Sequence, residues 1–384
     1  MKNAIEMHEE WKGKIEIKSK VDVTKLSNLS LAYTPGVADV CLKIKDDKSL
    51  SYTLTGRWNR VAIVTDGTAI LGLGNIGPEA GMPVMEGKAC LFKAFGDVDA
   101  YPLCINTTDT EEIIKFIKYI EPSFGGINLE DISAPRCFEI ERRLKEELSI
   151  PVFHDDQHGT AIVVGGALLN ALKVTGRKIE DINAVISGAG AAGTAIAKYL
   201  LVMGIKNVIM VDKFGIICEG DANLNSAHQE LSKITNKNHI KGNLRDAFKG
   251  ADLFVGVSVG KIVDEEMIKS MAKDPIVFSL ANPVPEISYK DAIEAGAKVV
   301  GTGSSEWPNQ INNVLVFPGI FRGALDARAK DINLDMMLKA SYAIASSIDE
   351  KELRVDYILP YATDINAHKK VSNEVYKEAL KQKQ

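Results

Sequence analysis

The sequence predicts an α/β fold of two lobes, built on largely parallel sheets and closed by C-terminal helices. Three observations lead there. Apolar runs with strand character alternate with segments of helical period, a strand, glycine turn and helix follow one another near the middle of the chain, and 384 residues exceed one average domain of about 150 residues.

The strand-like runs lie at residues 61–64, 126–129, 152–153, 184–187, 208–211, 253–257, 276–280 and 299–300. Between them, Asp109 precedes Glu111 and Glu112, whose charges suit a helix N-terminus, and the apolar set Ile113, Ile114, Phe116, Ile117 and Ile120 follows. Ser133 reads as an N-cap ahead of Pro135, with Cys137, Ile140, Leu144 and Leu148 on one helical face. Beyond about residue 320 the pattern is helical only. Asn333-Leu334-Asp335 opens one helix and Ser372 another, and both are expected to pack across the lobes. The tail Lys381-Gln382-Lys383-Gln384 is expected to fray. No Gly/Pro/Ser linker marks a boundary. It is set at Gly159, where a glycine-containing helix begins near Thr160, giving an N-terminal lobe of residues 1–158 and a second lobe of residues 159–384.

Composition excludes several classes of partner. With 25% charged residues and a net charge of -5, nothing advertises a nucleic-acid or membrane surface. The longest apolar stretch, residues 159–172, is too short to span a bilayer, and the N-terminus alternates acids and lysines where a signal peptide needs an apolar core. A cytoplasmic protein is expected. Five scattered cysteines with no C-x-x-C pair read as reduced, mostly buried thiols.

The most specific local signal is Gly188-Ala189-Gly190-Ala191-Ala192-Gly193, which leaves the strand 182–187 and enters a helix-compatible segment. The first glycine permits the tight turn, the second lets backbone N–H groups approach a pyrophosphate, and the third allows close helix-to-strand packing. A second strand ends in Asp212, placed to accept hydrogen bonds from an adenosine ribose. The combination predicts a Rossmann-type dinucleotide lobe. Asp212 favours NAD by repelling a 2′-phosphate, while neighbouring Lys213 leaves NADP possible.

Two further motifs gather acids at strand ends: Asn128-Leu129-Glu130-Asp131 and His154-Asp155-Asp156-Gln157-His158. Carboxylates from separate segments could surround one cation, and all-oxygen ligation suits Mg²⁺ or Mn²⁺. The i, i+4 spacing of His154 and His158 also raises a zinc-protease reading, opposed by the strand exit before the pair and Gly159 after it. A plainer alternative has Asp155 capping the next helix.

Taken together, Tyr33-Thr34-Pro35-Gly36-Val37-Ala38, Thr65-Asp66-Gly67, Gly72-Leu73-Gly74-Asn75-Ile76-Gly77, Glu86-Gly87-Lys88, Glu130-Asp131, His154 to Thr160, Ala281-Asn282-Pro283 and Asn309-Gln310-Ile311-Asn312-Asn313 resemble the short prokaryotic malic enzymes, in the family's order. The resemblance implies that the N-terminal lobe is the catalytic one and that malate is oxidised and decarboxylated to pyruvate. It also implies Glu130, Asp131 and Asp156 as divalent-metal ligands, Lys88 as general base and Tyr33 as general acid, with Asp155 in the catalytic set. Asn282 and Asn313 fall on the substrate and nicotinamide side, Asn282 shared with the cofactor, and a homodimer is implied. One departure is visible. Larger members carry a substrate-binding arginine after the Thr-Asp-Gly motif, where this chain reads Thr68-Ala69-Ile70, a trait of the short subclass.

In this role Lys88 must be neutral although an ordinary lysine titrates near pKa ~10.4. A nearby cation and burial would favour that form, and an acid beside it would oppose it. Malolactic and oxaloacetate-decarboxylating enzymes share the motifs. A nucleotide sensor without chemistry is the alternative of another class, but it has no need of Tyr33, Lys88 and the acids together.

Overall fold

The computed structural model describes residues 3–222 and 224–382. Four short helices come first: α1 (Ala4–Trp11), α2 (Leu26–Ala32), α3 (Val37–Asp46) and α4 (Ser51–Leu54), none of which buries a residue. A first sheet follows, with β1 (Arg60–Thr65), β2 (Asp99–Cys104), β3 (Gly126–Leu129) and β4 (Val152–His154) in the order β2-β1-β3-β4, all parallel. Parallel neighbours need crossovers, supplied by α5 (Pro78–Gly96), α6 (Thr110–Ile120) and α7 (Arg136–Glu147).

The composition of β1 explains its place. Its side chains alternate between faces, and both faces are covered: Val61 and Ile63 join a core with Phe92 and the C-terminal helices, while Ala62 and Val64 join one with Ile113, Ile117, Ile140 and Leu144. A run of buried apolar residues is what such a position demands. Edge strand β2 was missing from the sequence reading. It carries Pro102 and is only half-buried throughout, and proline is tolerated at a sheet edge because it has no ladder N–H to lose.

The second lobe opens with α8 (Asp155–Thr175) and continues through β5 (Asn183–Ser187), α9 (Ala191–Met203), β6 (Asn207–Asp212), β7 (Gly215–Ile216), α10 (Ser226–Ser232), α11 (Leu244–Phe248), β8 (Leu253–Gly256), α12 (Glu265–Lys269), β9 (Ile276–Ser279), α13 (Tyr289–Glu294) and β10 (Val299–Thr302). The strand order is β10-β9-β8-β5-β6-β7, parallel except for β7, which turns back on β6. From β5 the chain builds outward first to β6 and then, on the other side, to β8. That reversal opens a ligand crevice at the carboxyl ends of the strands.

Helices α14 (Phe317–Asp326), α15 (Leu334–Ala345) and α16 (Ile365–Lys381) close the molecule. Of these, α14 and α16 reach α5, and α15 lies on α8. An aromatic cluster cements the junction: Phe92 lies 4.7 Å from Phe317 and 5.4 Å from Phe321, and Phe321 lies 5.9 Å from Phe153. Phe321→Ala is therefore expected to cost about 3–5 kcal/mol, read from the urea midpoint, and a loss below about 1 kcal/mol would show that the ring is not packed across the junction.

Three helix starts differ from the sequence reading. Ser133 does not cap α7, because Pro135 takes the cap position and the Ser133 hydroxyl instead accepts from Arg136 Nη2 at 3.1 Å. Ser372 lies inside α16, which begins after Asp364. The Asp364 carboxylate caps Asn366 and Ala367, and the face Ala367, Val371, Val375 and Ala379 runs through without a break. Helix α8 starts at Asp155 rather than near Thr160, so the boundary set at Gly159 falls inside its first turns. The Asp109 and Asn333 caps form as read, accepting from Glu112 and Met336 backbone N–H groups. At the tail, Lys381 ends α16 and Gln382 follows it, while Lys383 and Gln384 lie outside the described residues. No helix among the described residues is long and apolar enough to cross a membrane.

Candidate active site

The acids of the two strand-end motifs sit where strands of the first sheet end. Glu130 and Asp131 follow β3, and Asp155 and Asp156 form the first turn of α8, directly after β4. Lys88 reaches them from α5, its ammonium 2.6 Å from Glu130 Oε2, hydrogen-bonded to Asp155 Oδ2, and 4.2 Å from the centre of the Phe317 ring. The cluster is buried and cross-braced. Asn128 Nδ2 donates to Glu130 Oε2 at 2.9 Å, Asn313 Nδ2 to Asp155 Oδ2 at 2.5 Å, and the Asp131 backbone N–H to Asp156 Oδ2 at 2.7 Å. Gly159 makes room, since a Cβ there would stand 1.9 Å from Asp155 Oδ1.

Burial is the largest influence on each carboxylate. It pushes Glu130 and Asp155 up to about 7, Asp156 up to about 6 and Asp131 up to about 9; neighbouring acids add to the effect, and Lys88 opposes it. For Lys88 the balance goes the other way. Burial disfavours the ammonium, but Asp155, Glu130 and Asp156 outweigh it and hold Lys88 above its ordinary value. The acids that oppose a neutral lysine are thus Asp155 first, then Glu130 and Asp156.

The histidines do not behave as a zinc pair. His158 Nε2 is taken by Glu141 Oε2 at 2.8 Å, and His154 is wholly buried, pushed down to about 4 by desolvation, with Nε2 3.6 Å from Asp156 Oδ2. Among the described residues no group of three histidines, cysteines or acids is already gathered to hold a metal ion. Glu130 Oε2 faces Lys88 and Asn128, and Asp156 Oδ2 faces Asp131.

Sequence reasoning missed two residues that brace this site. Glu141 on α7 accepts from the His154 backbone N–H at 3.0 Å as well as from His158. Burial would raise it, yet the His158 contact holds it at about 2. Its position beside Ile140 on the buried face of α7 was the available signal. Arg136 ties the loops after β1 and β2 to α7, pairing with Asp66 at 2.9 Å, donating to Thr68 Oγ1 at 3.1 Å and to the Thr108 carbonyl at 2.8 Å.

Tyr33 and Asn282 are not brought into the cluster. The Tyr33 side chain is 68% exposed at the end of α2. Asn282 is exposed after β9, its carbonyl so close to Gly72 that a Cβ on Gly72 would stand 2.3 Å away, a contact that joins the two lobes.

The glycine turn forms as expected. Gly188 has φ +105°, Gly190 precedes α9, and a Cβ on Gly193 would stand 1.7 Å from the Gly188 carbonyl. Asp212 ends β6 alongside. Ala191 packs against the apolar cluster of the first lobe, which also holds Leu129 and Ile132, the residues that flank Glu130 and Asp131.

A Rossmann-type turn opening on a buried lysine–carboxylate site defines a dinucleotide-dependent enzyme. Comparison narrows the class: the malic enzyme N-terminal domain matches residues 12–145 and the malic enzyme NAD-binding domain matches residues 157–380. The chain belongs to the malic enzyme family. It is 54% identical over 378 residues to the bifunctional malic/malolactic enzyme of Bacillus subtilis (strain 168), covering 98% of this chain and 92% of that protein. It is 56% identical over 369 residues to the NAD-dependent malic enzyme of Geobacillus stearothermophilus, covering 96% and 77%. The crystal structure of the NAD-dependent malic enzyme of Thermotoga maritima superposes with a TM-score of 0.95 at 52% identity, covering 98% of this chain and 99% of that one.

Proposed function

We propose that this chain oxidises and decarboxylates malate to pyruvate and CO₂ with reduction of NAD, assisted by Mg²⁺ or Mn²⁺, in a cytoplasmic homodimer. The observation that carries the reading is Lys88, buried between Asp155 and Glu130 in a chain that also forms the glycine turn.

The donor set fits a hard cation. Glu130, Asp131 and Asp156 offer only oxygen, and Asp131 Oδ2 is buried with no hydrogen-bond partner. When bound, the cation supplies Lewis acidity toward the substrate's C2 oxygen, and the nicotinamide accepts the hydride. A cation held by Glu130 and Asp156 would offset the negative charge that holds Lys88 above its ordinary value. Asp155 stays hydrogen-bonded to Lys88 and Asn313 and so aims the Lys88 amine, which removes the C2 hydroxyl proton. Asn313 and Asn282 border the substrate from the cofactor lobe. Tyr33 returns a proton to C3 after CO₂ departs.

The exposed apolar side chains Trp11, Leu26, Leu31 and Leu42 share the N-terminal segment with Tyr33, and we assign that surface to the dimer interface. Sedimentation equilibrium should give twice 41.8 kDa; a monomer at micromolar concentration would remove the assignment. With malate and Mn²⁺, NAD should be reduced faster than NADP, one pyruvate appearing per reduced cofactor. Lactate without reduced cofactor would move the chain to the malolactic side of its Bacillus relative.

A further inference from the structure

His228 lies between the glycine turn and Asp212, and no motif in the sequence points to it. It sits on α10, its backbone N–H held by the Asn225 cap at 2.8 Å. Its ring Nε2 is 3.0 Å from the carbonyl of Ala189, the second residue of the turn. A carbonyl can only accept, so Nε2 carries the hydrogen, and in the neutral ring Nδ1 is left as a lone pair. Nδ1 lies 3.8 Å from Asp212 Oδ2, and the two side chains are only 15% and 14% exposed. A carboxylate oxygen and an imidazole lone pair thus stand side by side at the carboxyl end of β6. In that neutral form neither group has a hydrogen to give the other.

We propose that His228 reads the adenosine ribose jointly with Asp212 and so helps set the preference for NAD over NADP. The inference rests on the reading of the glycine turn and Asp212 as the dinucleotide site. Neighbouring 2′- and 3′-hydroxyls are two adjacent donors, matched to the two acceptors. A 2′-phosphate replaces one donor with acceptor oxygens and negative charge, which neither Asp212 nor Nδ1 can satisfy. Sites built to hydrogen-bond a hydroxyl reject analogues that lack it.

The test compares the full-length protein with His228→Leu, His228→Lys and Asp212→Asn, measuring NADH and NADPH binding by nucleotide fluorescence and KM and kcat with NAD and NADP. His228→Leu should weaken NADH about tenfold, as loss of one hydrogen bond to a buried acceptor pair implies, and leave NADPH nearly where it was, the change falling on KM rather than kcat. His228→Lys, which places a cation beside Asp212, should bind NADPH more tightly than the wild type does. Equal weakening of both nucleotides in His228→Leu would reduce the residue to a structural prop and overturn the proposal, as would unaltered discrimination in both His228 variants. Asp212→Asn separates the two levels. If it shifts discrimination while the His228 variants do not, only the role of His228 fails; if it leaves discrimination unchanged, the placement of the ribose at Asp212 fails and His228 falls with it.

Discussion

Lys88→Ala is expected to lower malate oxidation by about 10²–10⁴-fold, the range for loss of a positioned general base, while NADH still binds. The structure adds a second consequence. Lys88 is the counter-charge of Glu130 and Asp155 in a buried cluster, and removing one partner of a buried ion pair costs about 3–5 kcal/mol. Stability and turnover must therefore be read separately, and Lys88→Arg does this. A guanidinium keeps the positive charge but stays protonated, so it should recover much of the stability, read from the urea midpoint, and none of the turnover. Recovery of turnover by arginine would show that Lys88 acts as a charge and not as a base. Loss of NADH binding in Lys88→Ala would show that it holds the nucleotide site.

The second large effect is expected at Asp156. Asp156→Asn keeps an oxygen to accept from the Asp131 backbone N–H, so the loop after β3 should hold its shape, but the carboxylate charge is gone. A direct metal ligand should matter more than outer-shell partners, whose loss costs about 10–100-fold in metal affinity. Mn²⁺ binding, titrated by electron paramagnetic resonance, should weaken by at least that much, with turnover falling in parallel. Unchanged Mn²⁺ affinity would remove Asp156 from the ligand set.

Much of this was legible in the chain because the signals were local. The buried strands of both sheets announce themselves as apolar runs, and the turn Gly188–Gly193 carries its own geometry, Gly188 standing at a positive φ and Gly193 where a Cβ would collide. What escaped has physical reasons. β2 was hidden by Pro102, whose presence is harmless only because the strand is an edge. Ser372 looked like a helix start because a serine ahead of a charged, periodic segment is a cap signal, whereas the face through Val371 and Val375 continues past it.

The site was legible in its membership but not in its electrostatics. That Lys88 meets Asp155, 67 positions away, is a product of α5 and the start of α8 meeting in the fold, and nothing in either segment states it. Asp155 is thus the acid that opposes the neutral form of Lys88. Glu141 and His228 were missed for the same reason: each acts across elements, one bracing His154 and His158 from α7, the other spanning Ala189 and Asp212 from α10. Tyr33 is the opposite case, legible by resemblance yet exposed and away from Lys88 within the chain.

The central claim is that malate oxidation occurs at the Lys88–carboxylate cluster and needs a divalent cation there. The most direct measurement is reduced cofactor and pyruvate formed from malate and NAD by protein stripped with EDTA, before and after Mn²⁺ is restored. The account predicts no turnover in the stripped protein, and equal amounts of NADH and pyruvate once Mn²⁺ returns. Undiminished malate-dependent NADH formation in the stripped protein would contradict it.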